Sequence, residues 1–259
     1  LAALDVADID LTLLLGAFRL FATDYREVSA RLQVADGRML LDPVTATVPA
    51  GRASLRLSAD GRDAKYPVEL ALAVPGIPVQ PLLAWSGQRD NLFGAVELDA
   101  NLRAEGDTLR ALAATVSGHV AAVIVEGDVD ARLLLDPLTG VMAAARVPLN
   151  LATQSGMLSR LRCLATRLEA DRGKVAVATM AADAVRMQFT GEGGFDLGEE
   201  TYALRLVPAV QSSAWTLAVP LKLEGSFASP RLSLERPEQP APAGATRAPA
   251  GPPPAAVRM

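Results

Sequence analysis

The chain has 259 residues, enough for one large β domain or two small ones with a sizeable core. Half of the residues are hydrophobic but only 4% are aromatic, so the apolar content is Ala, Leu and Val, and mean hydropathy is +0.24. Lys and Arg number 25 against 29 Asp and Glu, a net charge of −4 with no basic cluster, which argues against nucleic acid or an anionic membrane surface as a partner.

The single cysteine, Cys163, excludes an internal disulfide and a cysteine-built metal site. No stretch reaches the roughly 18 uncharged apolar residues of a membrane span. The densest, 11–21, is broken by Gly16 and Arg19. No signal peptide is visible, and the sequence opens on Leu1 inside an alternating pattern. The expectation is a fragment of a longer chain, with any anchor or export signal upstream.

Ile9, Leu11 and Leu13 alternate with Asp8, Asp10 and Thr12, the period-2 signature of a strand with one dry face. A second apolar stretch, 18–22, follows the break at Gly16. Val28, Ala30, Leu32 and Val34 then alternate up to Asp36-Gly37. That dipeptide signals a hairpin, because both central residues of such a turn take positive φ. The return strand passes Met39 and Leu41, is interrupted at Asp42-Pro43 and resumes over 44–48. Ala50-Gly51 and Asp60-Gly61 bracket a strand with Leu55 and Leu57 set against Arg56 and Ser58. The next strand, 68–74, ends at Pro75-Gly76.

Residues 78–85 read as a short helix stopped by Gly87. The cleanest strand is 96–104, with Val96, Leu98 and Leu102 opposed by Glu97, Asp99, Asn101 and Arg103. After Gly106-Asp107, 112–125 is expected as one long strand, and helical turns are expected within 131–145 and 155–161. Three strands follow between 162 and 196, the first two joined by a tight turn at Asp171-Arg172-Gly173-Lys174. Leu164, Thr166, Leu168 and Ala170 share one face of the first, away from Arg167 and Glu169. Val175 and Val177 belong to the second strand, and Val185, Met187 and Phe189 to the third. Tyr202, Leu204 and Leu206 make another strand, and Val219, Leu221, Leu223 and Phe227 the last. VADGRMLLDPVTATVPAGR and EADRGKVAVATMAADAVRM form a loose internal repeat of strand, turn and strand. A β-rich unit is expected over 1–234. The Pro, Ala and Gly of 235–259 supply too little apolar surface to order a tail.

Candidate chemistry is sparse. His119, the only histidine, sits inside an alternating stretch with no matched nucleophile motif, so a structural role is expected. Asp5, Asp8 and Asp10 lack the spacing of a calcium loop and read as the wet face of a strand. Gly191-Glu192-Gly193-Gly194 fails the GxGxxG spacing and lies between strand segments, so it reads as a bulge or bend. No GxSxG or SxxK occurs. The expectation is a protein without catalysis, cofactor or metal.

Two runs carry a family resemblance. FTGEGGFDLGEETYALRLVP followed by LAVPLKLEGSFASPRLSL resembles the C-terminal region of the AsmA-like proteins of bacteria with two membranes. The matching features are Gly191, Gly193 or Gly194, Asp196-Leu197, Pro208, and Val219-Pro220-Leu221 through Gly225, Phe227 and Pro230-Arg231. VADGRMLLDPVTATVPAGRASLRLSAD and FGAVELDANLRAEGDTLRALAATVSGHVAAVIVEGDV match the family's upstream pattern, so the resemblance covers 11–234. It implies a β scaffold similar to the repeating β-groove lipid-transfer proteins, associated with outer-membrane homeostasis.

The expected fold is mainly β, a large, twisted and curled antiparallel sheet forming an open apolar groove, with two or three short helices against it. A closed β-sandwich is the alternative. Leu70, Leu72, Val74, Val96, Leu98, Leu102, Met187, Phe189, Leu204, Leu206, Val219, Leu221 and Leu223 are expected to share the concave face and contact acyl chains. The resemblance implies a periplasmic lipid-binding or lipid-transfer role, with an inner-membrane tether upstream and phospholipid or another acyl lipid as partner. The alternative is a scaffold that binds outer-membrane protein segments, or other envelope proteins, at a free sheet edge.

Overall fold

The computed structural model describes residues 8–20, 23–80, 83, 92–130, 158–185, 187–211, 216–218 and 220–235. In chain order the strands are β1 (Ile9–Leu20), β2 (Thr23–Ala35), β3 (Arg38–Val48), β4 (Gly51–Asp60), β5 (Pro67–Pro78), β6 (Leu92–Phe93), β7 (Ala95–Glu105), β8 (Ser117–Asp130), β9 (Leu158–Asp171), β10 (Lys174–Ala184), β11 (Met187–Asp196), β12 (Thr201–Gln211), β13 (Thr216–Ala218), β14 (Leu221–Ser226) and β15 (Ser229–Leu234). A helix, α1 (Leu109–Thr115), lies between β7 and β8. All fifteen strands join one sheet, in the order β1-β2-β3-β4-β5-β7-β8-β9-β10-β11-β12-β14-β15, with β6 against β8 and β13 against β12. A sandwich needs two stacked sheets, so the open sheet is the fold and the sandwich alternative falls.

Register makes this sheet two-sided. One row of facing residues runs Leu11, Leu32, Leu41, Leu57, Leu70, Leu102, Gly118, Ala170, Val175, Phe195, Tyr202, Gly225 and Pro230, from β1 to β15. Apart from the Tyr202 hydroxyl, the row carries no polar side chain. One residue along from β4 onward, the row reads Arg56, Ala71, Asn101, His119, Glu169, Ala176, Gly194, Ala203, Glu224 and Arg231. Successive residues of a strand point to opposite faces, so the first row is an inner, apolar face and the second an outer, polar one. The two tight hairpins form as their residues require. Asp36 and Gly37 have φ of 49° and 70°, and Arg172 and Gly173 of 48° and 76°.

Several sequence expectations need correction. Gly16 does not break β1, which pairs with β2 on both sides of it, and a side chain there would meet open space. Asp42-Pro43 does not interrupt β3, and Pro75-Gly76 does not end β5. Each sits at a register shift, between Leu41 and Val44 and between Val74 and Ile77, where a bulge takes up the extra residue. The long strand expected over 112–125 forms only from Ser117, because 112–115 are the second half of α1. Thr108 caps α1 by accepting the Ala111 N–H at 3.2 Å, and the Leu and Ala that follow are strong helix formers.

The helix expected over 155–161 is overturned where it is described, because β9 starts at Leu158. Its partner β8 supplies a full ladder there, and tertiary pairing overrides a short apolar run. Val185 falls in the turn between β10 and β11 rather than on the inner face, and is 55% exposed. Phe227 likewise sits in a turn, after which β15 adds a strand the sequence reading missed. Gln80 and Leu83 are helical, within the expected 78–85 helix, although Pro78 itself ends β5. The helix expected within 131–145 and the tail after 235 lie outside the described residues.

At the end of the strands away from α1, Val79, Leu92, Val96, Ile124, Val129, Leu161 and Ala184 form the main buried cluster. The turns at the α1 end are held by charge. Asp60 accepts Arg38 Nε at 2.6 Å and the Arg62 N–H at 3.0 Å, tying the β2–β3 turn to the end of β4. The Arg38 bond first, and the Arg62 N–H second, hold the Asp60 carboxyl down to about 2. Its contribution to stability is therefore present above the ordinary carboxylate value of about 3.9 and is lost as pH falls from there toward the folded value. Asp60→Asn should flatten the acid limb of the stability curve between about pH 4 and 2, measured by urea unfolding at a series of pH values. An unchanged acid limb would contradict the assignment.

Candidate functional site

The inner rows of β4 to β11 bend around a hollow of about 660 Å³. Leu57, Val68, Leu70, Leu102 and Ala104 line it from β4, β5 and β7, and Val120, Leu168, Ala170, Val175 and Phe195 from β8 to β11. Strands as far apart in the sheet as β4 and β11 border one space, so the sheet curls toward its apolar face. α1 forms the remaining wall, with Leu109, Leu112 and Ala113 on the hollow and Val116 just beyond it. Arg103 and His119 border the space only from the outer rows. Arg103 stands between Glu69 and Ser117, and His119 Nε2 lies 2.9 Å from Asp99 Oδ1.

α1 is fastened at its base. Thr115 Oγ1 accepts the Glu105 N–H at 2.9 Å and donates to the Glu105 carbonyl at 2.6 Å, closing the neck of the β7–β8 connection. The Val116 carbonyl accepts the Gly173 N–H at 2.9 Å, and Ser117 Oγ accepts the Arg172 N–H at 2.9 Å. Gly173 has to be glycine. Its φ is +76°, and a Cβ there would lie 2.5 Å from the Ala114 carbonyl oxygen. At its tip α1 is held loosely, by Arg110 and Glu200 at 3.7 Å, with side chains 73% and 53% exposed. Such an exposed pair contributes at most about 1 kcal/mol.

The residues expected to touch acyl chains fall in the inner rows: Leu70, Leu72 and Val74 of β5, Val96, Leu98 and Leu102 of β7, Met187 and Phe189 of β11, Leu204 and Leu206 of β12, and Leu221 and Leu223 of β14. Val219 lies outside the described residues. Only Leu70 and Leu102 border the hollow under α1. Val96, Met187, Leu204 and Leu221 are buried by other parts of the chain, Val96 within the main cluster. Sequence reasoning missed Leu109, Leu112, Leu168 and Phe195 as lining residues. The signal available for α1 was Thr108 followed by apolar residues at helical spacing.

Elsewhere the polar candidates are structurally engaged. Asp10 is drawn down from the ordinary carboxylate value by its bond to Arg31, at 2.7 Å, with Gln33 adding to it. The glycines of β11 allow close approach beside the β10–β11 register shift, where a Cβ on Gly191 would lie 2.5 Å from Met180 Sδ. A second hollow, about 320 Å³, opens on the outer side, with Ala71 and Ala73 among its lining. Its Arg56 pairs with Asp42 at 3.0 Å, and its His119 with Asp99. Among the described residues no group of three or more His, Cys, Asp or Glu is placed to hold a metal, and no helix is long and apolar enough to cross a membrane.

Compared with known families, the sequence matches AsmA over residues 2–179, from before β1 into β10. The chain belongs to the AsmA family. The matched part contains α1 and most of the strands around the hollow, while the 189–208 run that carries much of the sequence resemblance lies beyond it. No curated protein and no solved structure matches the chain.

The two faces of this AsmA-family sheet make a paired test. Val120 borders the hollow, whereas Ala121, its neighbour on β8, stands opposite Arg167 on the outer face. Val120→Asp should destabilise by about 2–5 kcal/mol in urea unfolding, because its carboxylate meets only apolar groups. Ala121→Asp should change stability by less than about 1 kcal/mol. Equal effects would contradict the face assignment.

Proposed function

We propose that this AsmA-family chain handles lipid without catalysis, its inner face holding acyl chains of phospholipid or another acyl lipid. We place it in the periplasm, tethered to the inner membrane by an upstream helix, in support of outer-membrane biogenesis. The observation that carries the reading is the apolar row from β1 to β15, most of it facing a trough roofed, among the described residues, only by the seven-residue α1. An acyl chain gains roughly 0.8 kcal/mol for each CH₂ it buries. A palmitoyl tail would gain on the order of 10 kcal/mol, enough for retention without a polar contact. The reading without catalysis rests on the sequence, which has a single histidine and neither a GxSxG nor an SxxK motif.

One observation favours a second reading. β1 is the end of the sheet, and every one of its residues is exposed, with Leu11 at 55% and Leu14 at 72%. A long apolar edge that no other described strand covers is a template for an added strand, so an envelope protein segment could pair there.

Photo-reactive residues at Leu98, Leu206 and Leu223, irradiated in cells, should yield lipid adducts. Leu98→Asp or Leu206→Asp should abolish co-purification of lipid. Protein adducts at β1 with no lipid at any inner position would favour the scaffold instead.

A further inference from the structure

The hollow beneath α1 differs from the rest of the trough in having a roof. Its walls come from seven strands and its cover from Leu109, Leu112 and Ala113. No charged side chain is directed into it, since Arg103 and His119 belong to the outer rows. A polar headgroup placed there would lose its water without gaining a partner, whereas a bare hydrocarbon chain would lose nothing. At about 660 Å³ the hollow lies within the range of roughly 300–1,000 Å³ typical of a site for one small molecule.

The roof itself is poorly held in place. None of its seven residues is buried, and Leu109 is 86% exposed. A helix that short has no stability of its own. Its firm attachments are at one end: Thr115 to Glu105, Val116 to Gly173 and Ser117 to Arg172. At the other, Gly106 donates to the Tyr66 carbonyl at 3.3 Å. Across the hollow it meets the β11–β12 turn through the exposed Arg110–Glu200 pair, and Ala114 stands close to Gly198.

We propose that this hollow is a seat for a single unbranched acyl chain, its headgroup left outside, and that α1 is a lid, pivoting on the Thr115 neck, which lifts from the β11–β12 turn to admit and release the chain. This rests on the lipid-handling reading but goes further, in fixing one seat and one moving part.

The geometry supplies a lock. A Cβ added at Gly198 would lie 3.3 Å from the Ala114 Cβ, within a few tenths of an ångström of disulfide spacing. The double variant Ala114→Cys with Gly198→Cys, made with Cys163→Ala to remove the native thiol, can be closed by oxidation and reopened by reduction. The probe is radiolabelled palmitate, and the readout is its exchange rate on and off the purified protein. Oxidation should slow exchange by about tenfold or more, and reduction should restore it. Ala113→Trp, which fills the hollow from the lid, should lower palmitate capacity while leaving the circular dichroism spectrum unchanged.

Wild-type exchange in the oxidised protein, with full capacity in Ala113→Trp, would overturn the lid and seat but leave lipid elsewhere in the trough. Absence of palmitate binding in every form would overturn the lipid reading together with it.

Discussion

Everything in this molecule depends on keeping one face of a very wide sheet apolar across all its strands. A slip of one residue in any antiparallel pair would send every inner side chain of that strand outward. The sequence does not keep perfect alternation. It changes phase at Leu41 to Val44, at Val74 to Ile77 and at Val177 to Met180, where apolar residues are three apart instead of two. At each of these places the register shifts, and the bulge returns the next apolar residue to the inner face. The bulges are therefore what allows imperfectly alternating strands to build one continuous apolar surface.

This explains what could and could not be read from the sequence. Individual strands with regular alternation, such as Ala95–Glu105, were legible, as were hairpins built on Asp36-Gly37 and Arg172-Gly173. The phase changes were read as an interruption at Asp42-Pro43 and a strand end at Pro75-Gly76, because proline, glycine and a lost period are the ordinary signs of a break. A bulge carries the same local signal, and only the partner strand distinguishes the two. Gly16 misled for the same reason, since a glycine at an exposed position of a strand costs little packing.

The site was legible in kind but not in place. Alternation assigned Leu70, Leu102, Leu168 and Val175 to strand faces, yet which apolar residues remain open depends on what covers them. Val96 looks equivalent to Leu102 in sequence, but it is 5% exposed beneath the cluster built with Ile124 and Leu161. The cover over Leu102 comes from α1, a helix whose second half, 112–115, was read as strand because Leu and Ala suit either state. Covered at one end of its strands and roofed at the other, the trough is less uniform than its sequence pattern.

The central claim is that the apolar face is completed by hydrocarbon. The most direct measurement is native mass spectrometry of the protein purified without detergent, followed by organic extraction. Acyl lipid should be bound and recovered, and the stripped protein should show a lower melting temperature that rises again when lipid is returned. Protein that is lipid-free as purified, and whose melting temperature does not respond to added lipid, would contradict the account.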